Sequence, residues 1–163
     1  MLYLVLIEHW TLAAIVLVTT VGTDLLDGYI ARVRNQITAL GGLLDHSSDA
    51  FFVSLLLFAL AARGLVPIAL PCLVIIAFLQ YTFDSRALSG HSLRTSNLGR
   101  YNGVSYFLLA GFPVMQNALN LHVIPDEYFK WIAWGLVLST TISMLDRLFT
   151  LQRKNRSDTS IDE

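Results

Sequence analysis

The sequence predicts an all-α protein, a polytopic bundle of transmembrane helices. Two observations predict this class. Apolar residues make up 55% of the 163-residue chain and charged residues only 14%, whereas a soluble domain carries about 25% charged residues. Residues 64–83 and 101–121 contain no charged side chain, and about 20 apolar residues let a helix cross the hydrocarbon core of a bilayer. The net charge of −1 gives no reason to expect binding to nucleic acid.

Five full-length membrane-spanning helices follow from the distribution of apolar residues. We expect them at residues 10–32, 43–62, 64–83, 101–121 and 128–148. A shorter apolar segment at residues 1–7 is expected to form the last turns of a further helix, with Glu8 and His9 as the turn that follows. Pro71 and Pro113 lie inside two of the spans, and we expect them to bend these helices.

The basic residues predict the orientation of the bundle. Of the eleven Lys and Arg residues, Arg63 and Lys130 lie on one side of the predicted membrane and the other nine lie in the first loop, the third loop and the C-terminal tail. Cytoplasmic loops carry an excess of Lys and Arg, so these loops and the tail are expected in the cytoplasm. We assign residues 1–150 to one transmembrane domain and residues 151–163 to a polar cytoplasmic tail without fixed structure.

Four aspartates stand out because they lie in or at the edge of apolar helices. They are Asp24, Asp27, Asp45 and Asp49. An ionisable group in a membrane helix costs at least about 2.5–3.5 kcal/mol on insertion scales. At 100° per residue the first pair lies on one narrow stripe of its helix, and the second pair lies on a stripe of the next helix. A short loop joins the two helices, so we expect antiparallel neighbours whose carboxylates form one cluster near the cytoplasmic surface.

Such a cluster predicts a metal site for phosphoryl transfer. Close carboxylates repel one another unless cations lie between them, and oxygen ligands favour Mg²⁺ or Mn²⁺ over zinc. Gly28, Ala31 and Gly41 leave space beside the metals, and Arg32 can bind a phosphate. Two metals can stabilise the attacking and the leaving oxygen. The alternative is structural: the aspartates cap helices or pair with Arg32 and Arg34.

The spacing of these residues resembles the signature of the CDP-alcohol phosphatidyltransferases. That pattern, D-x2-D-G-x2-A-R-x8-G-x3-D-x3-D, runs from Asp24 to Asp49 with every gap matched. The resemblance implies an integral membrane enzyme that is typically homodimeric, with six transmembrane helices and cytoplasmic termini. It implies transfer of a phosphatidyl-type group from a CDP-linked lipid to an alcohol acceptor, with release of CMP. The five helices expected here are one fewer than the family has.

The resemblance also implies a role for each residue of the signature. Asp24, Asp27 and Asp45 would hold two divalent ions, Mg²⁺ or Mn²⁺. Asp49 is counted with these metal ligands and would also act as the general base that takes the proton of the acceptor hydroxyl. The seat of the CDP moiety would be formed by Asp24, Gly28, Ala31, Arg32 and Gly41.

The acceptor alcohol stays open. His46 follows Asp45, where members that accept glycerophosphate usually have proline. We expect His46 to be a hydrogen-bond partner of the cluster rather than a metal ligand. The acceptor pocket is expected in the third loop, with Tyr81 and Asn102 at its flanks. Three arginines could bind a phosphorylated acceptor there, or could only set the orientation and contact anionic lipid: Arg86, Arg94 and Arg100.

Two other functions also fit parts of the sequence. Acidic residues inside a membrane can mark the ion path of a small transporter, although this does not account for the glycines and the arginine at matching gaps. A non-catalytic relative that serves as a partner subunit would fit the missing first helix. The intact set of four aspartates argues against it.

Overall fold

The structure, a computed structural model, describes residues 1–34, 38–84, 97–121 and 123–159. All regular elements in these ranges are α-helices, as predicted. They are α1 (Leu2–Leu6), α2 (Trp10–Val33), α3 (Ala39–Ala62), α4 (Ala69–Asp84), α5 (Asn97–Ala118) and α6 (Asp126–Thr159). Arg86 and Arg94, two of the three arginines predicted to bind the acceptor, lie outside the described residues.

Helix α3 lies at the centre of the bundle. It packs against α1, α4 and α5, while α5 also packs against α2 and α6, and α4 packs against α6. The core is built largely on Leu56, Leu57 and Leu60 of α3, each at most 1% exposed. Leu70 of α4 and Val114 of α5 are completely buried in the same cluster. The apolar second half of α3 thus anchors the end of the bundle opposite to its aspartates.

Three helices are long and apolar enough to cross a membrane by length and composition: Trp10–Val33, Gly41–Ala62 and Asp126–Phe149. Helices form at all five predicted spans, and three of these helices meet this criterion of length and composition. Helix α4 has only 16 residues, because the chain turns at residues 63–68 and the helix begins only at Ala69. Pro71 consequently lies in the first turn of α4, whereas Pro113 lies inside α5 as predicted.

The turns at the end of the bundle opposite to the aspartates share one cap geometry. Glu8, Gly64 and Asn120 have positive φ angles of 63°, 72° and 52°, and each follows the end of a helix. In each case the next N–H donates to the carbonyl five residues earlier, as in Leu65 to Leu60. This is the Schellman cap, which favours glycine at the residue with positive φ.

The two ends of the chain differ in how they match the prediction. Helix α1 forms where the last turns of a helix were predicted, and Glu8 of the following turn makes an ion pair with Arg63. The prediction of a tail without fixed structure is wrong for the backbone of residues 151–159, because α6 continues to Thr159. No proline interrupts α6, and each residue added to a formed helix costs little.

Candidate functional site

The structure brings the predicted aspartates of α2 and α3 together. The side chains of Asp24 and Asp45 lie close enough to interact across the two helices. On α3, one ligand atom each of Asp45, His46 and Asp49 lie within 4.8 Å of one another. Asp27 lies close enough to Asp24 to interact with its charge. We call Asp24, Asp27, Asp45 and Asp49 the aspartate cluster.

The first turn of α3 explains the register of its two aspartates. Thr38 is the N-cap, and its hydroxyl accepts a hydrogen bond from the Gly41 N–H at 2.9 Å. Residues four apart lie on one face of a helix, so Gly41, Asp45 and Asp49 follow one another along the side that meets α2. A Cβ atom on Gly41 would lie 2.9 Å from the Thr38 hydroxyl. The cap therefore favours glycine at position 41 for a structural reason, in addition to the predicted need for space beside a ligand.

The interface between α2 and α3 differs from the prediction of packed neighbours. In the described part of the chain, α2 packs against α1 and α5, and its backbone forms no extended interface with α3. The buried residues of α2 are Ala13, Ala14 and Leu17, all in its first half. The half that carries Asp24 and Asp27 is exposed or half-buried. The two helices therefore approach each other here through side chains rather than through packed backbones.

The predicted seat of the CDP moiety lies along the exposed half of α2. A Cβ atom on Gly28 would lie 3.7 Å from one guanidinium nitrogen of Arg32. The arginine side chain therefore folds back over the glycine, one turn beyond Asp24. Ala31 is half-buried and Arg32 is exposed. This stretch combines a cationic group, a small residue and an acidic group on one accessible surface.

The donor set of the cluster fits a hard divalent cation. Asp24, Asp27 and Asp45 are exposed and Asp49 is half-buried, so oxygen ligands are accessible at the surface of the bundle. The charges of Asp24, Asp45 and His46 all act on Asp49. Several carboxylate oxygens at this separation suit Mg²⁺ or Mn²⁺. His46 is placed close enough to be a ligand or to hydrogen-bond one.

A stack of side chains from α4 and α6 lies against the cluster, and sequence reasoning found only part of it. The ring of Tyr81 contacts the edge of His46, with centroids 6.4 Å apart. The guanidinium of Arg147 lies 4.7 Å from the centroid of the same ring. Tyr81 was predicted to flank the acceptor pocket. Arg147 was used only to predict the orientation of the bundle in the membrane. Its contact with Tyr81 could not be predicted, because no local sequence pattern shows which ring a distant arginine contacts.

The other two described residues that were predicted at the acceptor pocket, Arg100 and Asn102, differ in their burial. Arg100 lies in the first turn of α5 and is exposed. Asn102 is only 5% exposed, and its side-chain oxygen accepts a hydrogen bond of 2.7 Å from the Ser139 hydroxyl of α6. Asn102 is therefore a buried link between two helices, and its amide nitrogen has no hydrogen-bond partner among the described residues. Its place at the flank of an acceptor pocket stays a prediction.

The structure defines an all-helical protein with an acidic cluster that could hold a metal ion. The sequence model of the CDP-alcohol phosphatidyltransferase family matches residues 1–146. This match covers most of the chain, so the protein belongs to that family.

Individual relatives match over shorter segments. The chain is 40% and 39% identical over 74 residues to the proteins named cardiolipin synthase (CMP-forming) of Rattus norvegicus and Homo sapiens. It is 38% identical over 66 residues to the CDP-diacylglycerol–glycerol-3-phosphate 3-phosphatidyltransferase of Rickettsia bellii (strain RML369-C). These segments cover 45%, 45% and 40% of this chain and 24%, 25% and 36% of the three relatives. No solved structure matches the chain.

Proposed function

We propose that the chain is an integral membrane enzyme of phospholipid biosynthesis. It would transfer a phosphatidyl-type group from a CDP-linked lipid to an alcohol acceptor and release CMP. The observation that carries this proposal is the contact between Asp24 of α2 and Asp45 of α3, with Asp49 one turn further along α3. Family membership supports the reaction class, and the contact supports an intact site.

The surface of the described helices supports a location in the membrane. Large apolar side chains are exposed along α2 and α6, with Leu25 at 65% and Trp131 at 74%. Hydroxyls of these helices donate to carbonyls of their own helix, as Thr19 does to Ile15 and Thr141 does to Val137. Polar groups in lipid need such internal partners. We therefore place the apolar surfaces against lipid, or against a second copy in a homodimer.

The aspartate cluster, Gly28 and Arg32 have separate roles in the proposed reaction. The acceptor hydroxyl oxygen attacks the β-phosphorus of the CDP-linked lipid, and Asp49 takes its proton. The bond between that phosphorus and the oxygen of CMP breaks, and CMP leaves with the electron pair. Asp49 suits the role of base because it is half-buried at the inner end of the cluster, where a bound acceptor would exclude water. Arg32 and Gly28 bind the departing nucleotide phosphate.

The aspartate cluster would hold one or two divalent ions, Mg²⁺ or Mn²⁺. When bound, such ions neutralise charge on the transferring phosphoryl group and on the leaving oxygen. The carboxylates of Asp24 and Asp45 would be held together by the same ions, since without a cation their charges repel each other.

A glycerol compound is the acceptor that we propose, and the names of the relatives support it. The name of the Rickettsia protein specifies glycerol 3-phosphate. Formation of cardiolipin with release of CMP needs an acceptor that already carries a phosphatidyl group on glycerol. Both acceptors present a glycerol hydroxyl near a phosphate, so we propose an acceptor of this chemistry for the present chain. The experiment distinguishes the water-soluble acceptor from the lipid acceptor.

The test measures CMP release from CDP-diacylglycerol by membranes that contain the full chain. Glycerol 3-phosphate and phosphatidylglycerol are supplied in separate arms, each with Mg²⁺ and with chelator. We expect CMP release in one arm, abolished by chelator and by Asp49→Asn. No release in either arm, with folded protein in the membrane, would contradict the proposal. It would instead favour a non-catalytic partner subunit or a small transporter.

A further inference from the structure

Tyr81 connects the aspartate cluster to a helix that contributes no aspartate to it. The residue lies on α4, and the Arg147 guanidinium of α6 lies over the face of its ring at 4.7 Å, within the range of a cation–π contact. The ring meets His46 of α3 at an angle of 78°, the edge-to-face arrangement that aromatic pairs prefer. His46 in turn lies within 4.8 Å of the ligand atoms of Asp45 and Asp49.

The hydroxyl of Tyr81 is the unusual part of this arrangement. Its oxygen is buried and has no hydrogen-bond partner among the described residues. Folded proteins leave few buried polar groups unpaired, because an unpaired group loses its hydration without compensation. Tyr106 of α5 shows that this bundle can satisfy a buried tyrosine, since its hydroxyl is hydrogen-bonded to Thr140.

We propose that the Tyr81 hydroxyl binds the acceptor by donating a hydrogen bond to one of its oxygens, while the ring positions His46 and Arg147. This inference rests on the function proposed above. The positive charge of Arg147 beside the ring favours donation to an anionic oxygen, which gives a stronger bond than a neutral one. The ligand is therefore an acceptor with a phosphate close to its hydroxyl. Tyr81 brings α4 into a site that otherwise uses α2 and α3.

The test compares Tyr81→Phe with Tyr106→Phe in the CMP-release assay, using the acceptor arm that supports turnover. Tyr81→Phe keeps the ring and removes only the hydroxyl. We expect its KM for the acceptor to rise about tenfold, the loss typical of one hydrogen bond to a substrate. The KM for CDP-diacylglycerol and kcat should stay unchanged. Its thermal midpoint should equal or exceed that of the wild type, because an unpaired buried group is removed.

The control variant should show the opposite pattern. Tyr106→Phe removes the hydrogen bond to Thr140, so it should lower the thermal midpoint and leave the acceptor KM unchanged. A further variant, Tyr81→Leu, removes the ring and should also lower kcat, since His46 and Arg147 lose the surface between them. Tyr81→Phe, which keeps the ring, should have the kcat of the wild type but the raised KM for the acceptor.

Several outcomes would overturn the inference. If Tyr81→Phe keeps the acceptor KM of the wild type and lowers the midpoint, the hydroxyl has a structural partner instead. If Tyr81→Leu and Tyr81→Phe have the same kcat, the ring does not position its neighbours. If the wild type is active and Tyr81→Phe has the same kcat and acceptor KM, this inference is overturned and the proposed function is not. A wild type that is inactive with both acceptors overturns the proposed function together with it.

Discussion

The carboxyl group of Asp24 on α2 lies close enough to that of Asp45 on α3 for the two to interact, although the backbones of the two helices do not pack along each other. Two carboxylates do not approach this closely by their own attraction, since like charges disfavour the arrangement. The surrounding helices hold α3 in place, and α2 is fixed mainly through its first half. The second half of α2, which carries Asp24 and Asp27, is thus left exposed or half-buried beside α3.

If Asp49 is the general base, its replacement should reduce turnover without weakening binding of the donor. Asp49→Asn removes the proton acceptor but keeps a side chain of the same size, so turnover should fall by about 10²–10⁴-fold. Binding of CDP-diacylglycerol should stay within about threefold of the wild type, because a base for the acceptor need not hold the donor. The measurements are CMP release and equilibrium binding of the radiolabelled donor.

Asp24→Asn serves as the matched comparison for this experiment. Asp24 lies in the contact between the helices and next to the predicted CDP seat, so its loss should weaken metal and donor binding together. Normal turnover in Asp49→Asn would refute the assignment of the base.

Metal binding predicts a change in stability that can be measured without activity. Ligands that bind only the folded state stabilise it, by about 2.7 kcal/mol when their free concentration is one hundred times Kd. We therefore expect Mg²⁺ to raise the thermal midpoint of the wild type in detergent. Asp45→Asn should raise the midpoint in chelator, because it relieves repulsion with Asp24, and should lose most of the increase due to Mg²⁺.

Asp126→Asn is the control for this prediction. Asp126 lies in the first turn of α6, at the end of the bundle opposite to the aspartate cluster. Its Mg²⁺-dependent increase in midpoint should match that of the wild type. Equal Mg²⁺ responses in Asp45→Asn and Asp126→Asn would show that the cluster does not bind the metal.

Helical periodicity was enough to predict which aspartates share a face. Asp45 and Asp49 lie four residues apart, and their common orientation needs no knowledge of the rest of the fold. The same periodicity does not identify the partner of each helix, so the packing of α2 against α5 could not be predicted from it. The contact between Tyr81 and Arg147 was missed for the same reason, since it depends on how α4 meets α6.

The start of α4 was predicted too early because an apolar run does not distinguish a helix from a buried connection. Leu65 and Val66 are only 8% and 4% exposed, yet they lie in the turn after α3. A local signal for this turn did exist. Gly64 follows Arg63, and a glycine after a basic residue at the end of an apolar run is typical of a helix C-terminus.

The cap of α3 predicts different effects of alanine at two adjacent glycines. Alanine inside a helix is favoured over glycine by up to about 1 kcal/mol. A Cβ atom on Gly42 would have no neighbour within 4 Å, whereas one on Gly41 would lie 2.9 Å from the Thr38 hydroxyl. Gly42→Ala should therefore raise the free energy of unfolding. Gly41→Ala should lower it or leave it unchanged, because displacing the cap costs about 1 kcal/mol.

A double-mutant cycle with Thr38→Ala isolates the clash. Thr38→Ala alone should destabilise the protein by about 1 kcal/mol through loss of the cap. In the Thr38→Ala background, Gly41→Ala should be stabilising, because the hydroxyl that it displaces is no longer present. Additive effects of the two substitutions would exclude the proposed clash.

The distribution of basic residues predicts that the aspartate cluster lies at the cytoplasmic face of the membrane. Arg34 follows the end of α2 and is exposed, and Glu127 is exposed in the first turn of α6. In a background with Cys72→Ser, Arg34→Cys should react with a membrane-impermeant maleimide only after the cells are opened. Glu127→Cys should react in intact cells, because it lies at the opposite end of the bundle. CMP is charged and water-soluble, so the aspartate cluster must face the compartment that receives it. Labelling of Arg34→Cys in intact cells would place the aspartate cluster outside and contradict both the orientation and a cytoplasmic site.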